Sequence, residues 1–75
     1  MTDALKHQVG GTHYIEMAVQ PIEFSMRNGL NACQHTAIKY IVRQKGDKEK
    51  RIEDLDKAIH SLLIYRAMIE RGEAM

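Results

Sequence analysis

The stretch that decides the fold is residues 47–72, DKEKRIEDLDKAIHSLLIYRAMIERG. Its large apolar residues recur in steps of three and four, which is the spacing of one face of an α-helix. They are Ile52, Leu55, Ile59, Leu62 and Ile69, with Leu63 beside them. The row resembles the seam of a coiled coil and is interrupted by Arg66. With Gly72 as its stop, the pattern predicts a helix from near Asp47 to Arg71.

A second helix is predicted upstream of this stretch. Asn31 is a good N-cap, and Gly46 is a suitable left-handed cap at the other end. A stripe of residues spaced by four lies between them, and Ile38 and Val42 widen it. The stripe consists of Cys33, Ala37 and Ile41. Its periodicity predicts a helix whose apolar face packs against residues 47–72.

A short first helix is predicted from Pro21 to Asn28, because proline suits the first helical turn and Asn28-Gly29 ends it. Residues 1–19 lack helical periodicity and predict an extended arm with a joint at Gly10-Gly11. The expected fold is therefore all-α. A short helix and a two-helix antiparallel hairpin form a helical core over residues 20–72, within a single domain spanning 1–75.

The length predicts a homo-oligomer. A chain of 75 residues buries only about 60% of the surface that its unfolded form exposes, so a monomer would be marginal. Its single cysteine, Cys33, excludes an intrachain disulfide. The apolar row at Ile59, Leu62, Leu63 and Ile69 exceeds what the shorter second helix can cover. We expect a second subunit to cover it, most simply in a dimer or a multiple of one.

The composition excludes several broad classes of partner. The net charge of +1 does not favour a protein that coats DNA or a membrane surface. The aromatic residues are few and dispersed, which argues against binding of long nucleic acid. No apolar run approaches the length of a membrane span, and the first residues do not form a secretion signal. A lone thiol then favours the cytoplasm.

Basic residues cluster around the end of the second helix. His35, Lys39 and Arg43 are spaced by four, and Lys45, Lys48, Lys50 and Arg51 follow. Arginine binds phosphate through a bidentate fork and lysine binds it as a point charge, so the cluster suits a phosphate group. The alternative is a solvated helix face, which is the commoner role of such residues. Spacing alone favours that alternative.

Acidic residues lie at the start of the third helix. The spacing of Glu53 and Asp56 places two carboxylates on one face, where they would share a magnesium ion in some helical nucleotide hydrolases. The alternative is a negative helix N-terminus paired with nearby lysines, and we favour it because no second acidic pair is present. We therefore expect no metal site and no catalytic residues, with magnesium needed only if the protein is an enzyme.

Four motifs in order resemble a known family. They are GGTHY at 10–14, QPIEF at 20–24, AIKYIVR at 37–43 and EDLDKA at 53–58. Together they resemble the small phage-encoded domain of formerly unknown function that also occurs in the nucleotide kinase of T-odd coliphages. The resemblance implies an all-helical phage protein that binds nucleoside phosphates without a P-loop. One departure is His35-Thr36, where many members carry Gly-Asn, and it weighs against kinase chemistry.

The resemblance also implies which residues bind the ligand. Lys39 and Arg43 become the best phosphate ligands, and the arm would close over a base or sugar. With His35 and Lys45 added from the basic cluster, the complete predicted ligand set is His13, Tyr14, Gln20, His35, Lys39, Tyr40, Arg43 and Lys45. For Tyr14 the alternative is a packing role that holds the arm on the helices.

Two functions follow from these observations. The first is binding without turnover: basic pockets between subunits would sequester a nucleoside phosphate or a cyclic oligonucleotide signal against host defence. The second is a deoxynucleoside monophosphate kinase or a related magnesium-dependent nucleotide enzyme. A purely structural interaction module is a weaker third reading. We favour the first function, with a nucleotide as the ligand and no membrane partner.

Overall fold

Three α-helices make up the part of the chain that the computed structural model describes, residues 17–43 and 45–74. They are α1 (Pro21–Arg27), α2 (Ala32–Ile41) and α3 (Lys48–Glu70). These residues contain no strand, so the all-α prediction is confirmed. Most of the predicted arm, including His13 and Tyr14, lies outside the described residues.

The predicted helix starts are confirmed by their capping contacts. Pro21 begins α1. The Asn31 side chain accepts a hydrogen bond from the Gln34 backbone N–H at 2.8 Å, and the Gln34 side chain accepts one from the Asn31 N–H at 3.0 Å. Asp47 accepts one from the Lys50 N–H at 2.9 Å. Each contact satisfies a backbone donor that the first helical turn leaves free.

The end of α2 differs from the prediction. The helix ends at Ile41 with Val42 as its C-cap, five residues before Gly46. The reason is tertiary: Arg43 leaves the helical path and directs its guanidinium toward Asp54 of α3. Gly46 instead lies in the link between α2 and α3, where its backbone adopts a φ of +92° that disfavours any other residue.

The helices pack in sequence, α1 against α2 and α2 against α3. The buried hydrophobic side chains of the described residues are only Ala37 of α2 and Ala58 of α3. Ile41 is half-exposed, so the predicted apolar stripe of α2 is fully buried at Ala37 alone. The α2–α3 contact therefore brings two backbones close together through small side chains and buries little apolar area.

The predicted apolar row of α3 is exposed in the single chain. Its large side chains are about half-exposed: Ile52, Leu55, Ile59, Leu62, Leu63 and Ile69. The residues of α3 that are buried are Asp54, Ala58 and Ser61, on a different face. Within 17–43 and 45–74, no helix combines the length and apolar character needed to cross a bilayer.

Candidate functional site

Two neighbouring cavities lie where α2 is followed by α3. The first, here called the basic cavity, has a volume of about 300 Å³ and is lined by Arg43, Lys45, Gly46 and Lys50. The second, here called the tyrosine cleft, has a volume of about 380 Å³. Its lining residues are Tyr40, Glu53, Asp56, Lys57, His60 and Ser61. Both volumes fall at the lower end of the range of small-molecule sites, about 300–1,000 Å³.

The basic cavity depends on Gly46. A Cβ atom at this position would lie 2.7 Å from Cγ and 2.8 Å from Cβ of Lys50, which is too close for either atom. Glycine therefore lets the Lys50 side chain run against the link between the helices. Lys50 is a lining residue that the predicted ligand set omitted. The sequence shows a run of basic residues from Lys45 to Arg51, but it does not show which of them line the same cavity.

A buried carboxylate lies among the cations of the basic cavity. Asp54 is 1% exposed, and its Oδ1 lies 3.7 Å from Arg43 Nη1 and 3.5 Å from Lys50 Nζ. Within the described chain, neither carboxylate oxygen of Asp54 nor Nε of Arg43 has a hydrogen-bond partner. Buried polar atoms are rarely left in this state. Even with Glu53, which lies 3.6 Å from Lys50 Nζ, the three lining cations outnumber the two neighbouring carboxylates, and the Nε donor of Arg43 is unused within the described residues.

The Tyr40 ring of the tyrosine cleft has cations around it. Three cations lie near the centroid of the Tyr40 ring: Lys57 Nζ at 5.3 Å, Lys39 Nζ at 5.4 Å and Arg43 Cζ at 5.8 Å. These distances are within the range of about 6 Å for cation–π attraction. Arg43 lines the basic cavity and Tyr40 lines the tyrosine cleft, so the 5.8 Å distance between them places the two cavities side by side.

One of the two acidic residues of the cleft, Glu53, is ion-paired. Glu53 Oε1 lies 3.1 Å from Lys57 Nζ and 3.6 Å from Lys50 Nζ. The hydrogen bond from Lys57 lowers the pKa of Glu53, and the same bond raises the pKa of Lys57. The interpretation of Glu53 as a partner of nearby lysines is therefore confirmed. In the described ranges, no group of three histidine, cysteine or acidic side chains is arranged to hold a metal ion.

The structure separates the predicted ligand residues into two sets. Tyr40, Arg43 and Lys45 line the cavities, and Lys39 lies beside the Tyr40 ring. His35 and Gln20 line neither cavity. His35 Nδ1 lies 2.7 Å from Ser25 Oγ and joins α2 to α1, while Gln20 is buried at the start of α1. These two positions are suited to holding α1 in place.

The chain matches no protein-family model, no curated protein and no solved structure. The resemblance to the phage-encoded domain family therefore depends on the four motifs alone. Functional inference depends on the geometry of the basic cavity and the tyrosine cleft.

Proposed function

We propose that this protein binds a nucleoside phosphate, with the phosphate in the basic cavity and the base in the tyrosine cleft, and holds it without turnover. The observation that carries the proposal is the basic cavity itself. Three cations line it, two of them pair with one buried carboxylate, and a buried guanidinium nitrogen has no hydrogen-bond partner in the described chain. An anion with several acceptor oxygens is the ligand that satisfies this arrangement.

The charge of the cavity fits a phosphate monoester. Such a group carries a charge of about −1.5 to −2 near pH 7 and presents three acceptor oxygens. Arg43 is only 19% exposed, so a contact to its guanidinium is less screened by water than a contact on an open surface. The exposed Lys45 side chain can reach a bound phosphate from the solvent side, whereas Lys50 is held near Asp54.

The position of Tyr40 favours a nucleoside over free phosphate. A phosphate on Arg43 places its attached sugar next to the Tyr40 ring, because the Arg43 guanidinium carbon lies 5.8 Å from the centroid of that ring. Aromatic rings stack on any base, and each such contact typically contributes about 1–3 kcal/mol. Lys39 and Lys57 flank the same ring and add positive charge at the mouth of the cleft.

We also infer an antiparallel α2–α3 hairpin. Arg43, near the end of α2, meets Asp54, while Tyr40, one turn earlier, lies beside Lys57, one turn later on α3. Contacts that advance in opposite directions along two helices are those of an antiparallel pair. The three cations that line the basic cavity all belong to this hairpin and the link between its helices. Phosphate binding in this proposal therefore needs no cation from a second subunit.

The motif resemblance extends the proposal to a biological role. A small phage protein that holds a nucleotide without converting it would sequester a nucleotide signal of host defence, including a cyclic oligonucleotide. The kinase named by the same resemblance would instead need the tyrosine cleft to hold a second substrate and magnesium. The two roles predict different fates for the bound nucleotide.

Calorimetric titration with the four deoxynucleoside monophosphates, their nucleosides and cyclic di-AMP tests the binding site. We expect a phosphate-bearing probe to bind and its nucleoside to bind at least tenfold more weakly. Lys45→Ala should weaken binding about tenfold or more, which corresponds to about 1.4 kcal/mol. Lys48→Ala is the matched control, since Lys48 is an exposed lysine that does not line the cavity. Equal affinities for the two variants would contradict the proposal.

A product analysis separates sequestration from catalysis. The protein is incubated with a labelled probe that binds, with ATP and magnesium, and is then denatured by heat to release the ligand. Recovery of the intact probe supports sequestration. Magnesium-dependent formation of the diphosphate supports the kinase and contradicts binding without turnover.

A further inference from the structure

We propose that a second copy of this chain covers the apolar face of α3, with the two α3 helices antiparallel about a two-fold axis. The face in question is here called the outward face. It consists of Ile52, Leu55, Ile59, Leu62, Arg66 and Ile69. The proposal does not depend on the nucleotide site, whose basic cavity has no residue on this face.

The single chain leaves this face uncovered. The five apolar residues of the outward face are each between 45% and 54% exposed. The face is also turned away from α2. At 3.6 residues per turn, it lies roughly a third of a turn from Asp54, Ala58 and Ser61, which pack against α2. The 10 residues of α2 are in any case too few to cover the 23 residues of α3.

The described residues offer little other apolar burial. The buried hydrophobic side chains of the described residues are two alanines, and small domains are marginal even with a full core. If a second copy packs its own outward face against this one, the apolar side chains of both copies become buried in one interface. Two-fold pairs of identical surfaces are the commonest arrangement in oligomers of one chain.

The spacing of the outward face suits an antiparallel pair. The six positions are separated by steps of three, four, three, four and three residues, which read the same in both directions. With a midpoint between His60 and Ser61, Ile59 lies opposite Leu62 of the second copy and Ile52 lies opposite its Ile69. Each layer then contains large apolar side chains from both copies, except the layer of Arg66.

Arg66 decides the direction of the pair. In a parallel pair, Arg66 would face Arg66 of the second copy, and two like charges directly opposite each other are unfavourable. In the antiparallel pair it faces Leu55 of the second copy and lies next to Asp56, an exposed acid. Within its own chain, Arg66 contacts only the exposed Glu70, at 3.3 Å, among the described ion pairs. Its guanidinium can reach the acid across the interface while its stem packs on Leu55.

Disulfide crosslinking of two full-length variants tests the direction. Cys33→Ser is first introduced to remove the native thiol, and Ile52→Cys and Ile69→Cys are then made separately. We expect a crosslinked dimer only when the two variants are mixed, equilibrated and oxidised. Two copies of residue 52 would lie about 25 Å apart, since 17 residues rise 1.5 Å each. Crosslinking of either variant alone, with no crosslink between position 52 of one variant and position 69 of the other in the mixture, would indicate a parallel pair and overturn the proposal.

Sedimentation velocity tests whether the face is needed. The wild-type protein should sediment as a dimer or a multiple of one at micromolar concentration. Leu62→Glu should shift it to the monomer, and Ile64→Glu should not. Ile64 is a matched control because it is 42% exposed on the same helix but lies off the outward face. A wild-type monomer, or Leu62→Glu that assembles like wild type, would overturn the proposal. If Leu62→Glu fails to fold by circular dichroism, the crosslinking result decides.

Discussion

The α2-facing side and the outward face of α3 carry opposite kinds of side chain. The side that packs against α2 presents Asp54, Ala58 and Ser61, while the outward face presents large aliphatic residues. A helix in a self-sufficient monomer normally buries its large apolar side chains and exposes its small and polar ones. The difference indicates that the α2–α3 contact is built for close approach and for a buried charge, while most of the apolar surface of α3 lies on the outward face.

The polar packing side also determines the candidate site. Asp54 lies between Arg43 and Lys50 and keeps both cations at the base of the cavity. One carboxylate therefore contributes both to the α2–α3 contact and to the geometry of the proposed binding site. The outward face has no such double role, so substitutions there should change assembly before they change the geometry of the cavity.

The largest effect is expected for Asp54→Asn. The substitution keeps the shape of the side chain but leaves Arg43 without its buried counter-charge, and breaking a buried ion pair typically costs about 3 kcal/mol. Urea unfolding at a fixed protein concentration measures the change. Glu49→Gln is the matched control, because Glu49 is an exposed acid of the same helix that lines neither cavity. A similar loss in both variants would show that burial of Asp54 does not matter.

A smaller effect is expected for Ala58→Leu. Ala58 is 2% exposed and faces α2, so a longer side chain should force the helices apart and lower the free energy of unfolding by about 2 kcal/mol. Ala32→Leu, at the exposed first position of α2, should have little effect. If Ala58→Leu stabilised the protein instead, the contact would be underpacked and the contrast between the two faces would weaken.

Ser25→Ala tests whether the contact between Ser25 and His35 stabilises the packing of α1 on α2, as Asp54 is expected to stabilise the packing of α3 on α2. It removes the hydrogen-bonding group 2.7 Å from His35 Nδ1 and should cost about 1 kcal/mol. Ser61→Ala is the comparison, since Ser61 donates only to the Lys57 carbonyl of its own helix. Because alanine is the better helix former, we expect that variant to unfold within about 0.5 kcal/mol of wild type. Thermal unfolding distinguishes the two.

The smallest effect concerns the exposed pair of Glu53 and Lys57. Hydrogen bonding lowers the pKa of Glu53 below 4.5, so its contribution to stability is present above that pH and is lost as the pH falls through the lowered pKa. The raised pKa of Lys57 gives a contribution that is present below pH 10.5 and is lost as the pH rises beyond it. Glu53→Gln should therefore lower the melting temperature slightly at neutral pH and not at pH 2.

High salt provides the control for this last prediction. An exposed ion pair is screened at 1 M salt, where the Debye length is about 3 Å. The difference between Glu53→Gln and wild type should then disappear at neutral pH. A difference that persists in high salt would show that Glu53 acts through packing rather than through its charge.

The sequence by itself determined where most helices begin and end. Asn31 and Asp47 cap their helices and Gly72 follows the last one with a φ of +73°, as predicted. Capping involves residues three or four positions apart, so it can be read locally. The end of α2 could not be read in this way, since it depends on the contact between Arg43 and a residue 11 positions later.

Only the tertiary structure decided which acid is buried and which cations meet. Glu53, Asp54 and Asp56 are nearly adjacent in the sequence, yet Asp54 alone of the three is buried. Hydrophobic periodicity showed that α3 has an apolar face, but it did not show that α2 would pack on a different one. Packing of α2 on this other face buries Asp54 and brings Arg43 and Lys50 to the same carboxylate. The basic cavity therefore results from helix packing and could not be derived from residue spacing.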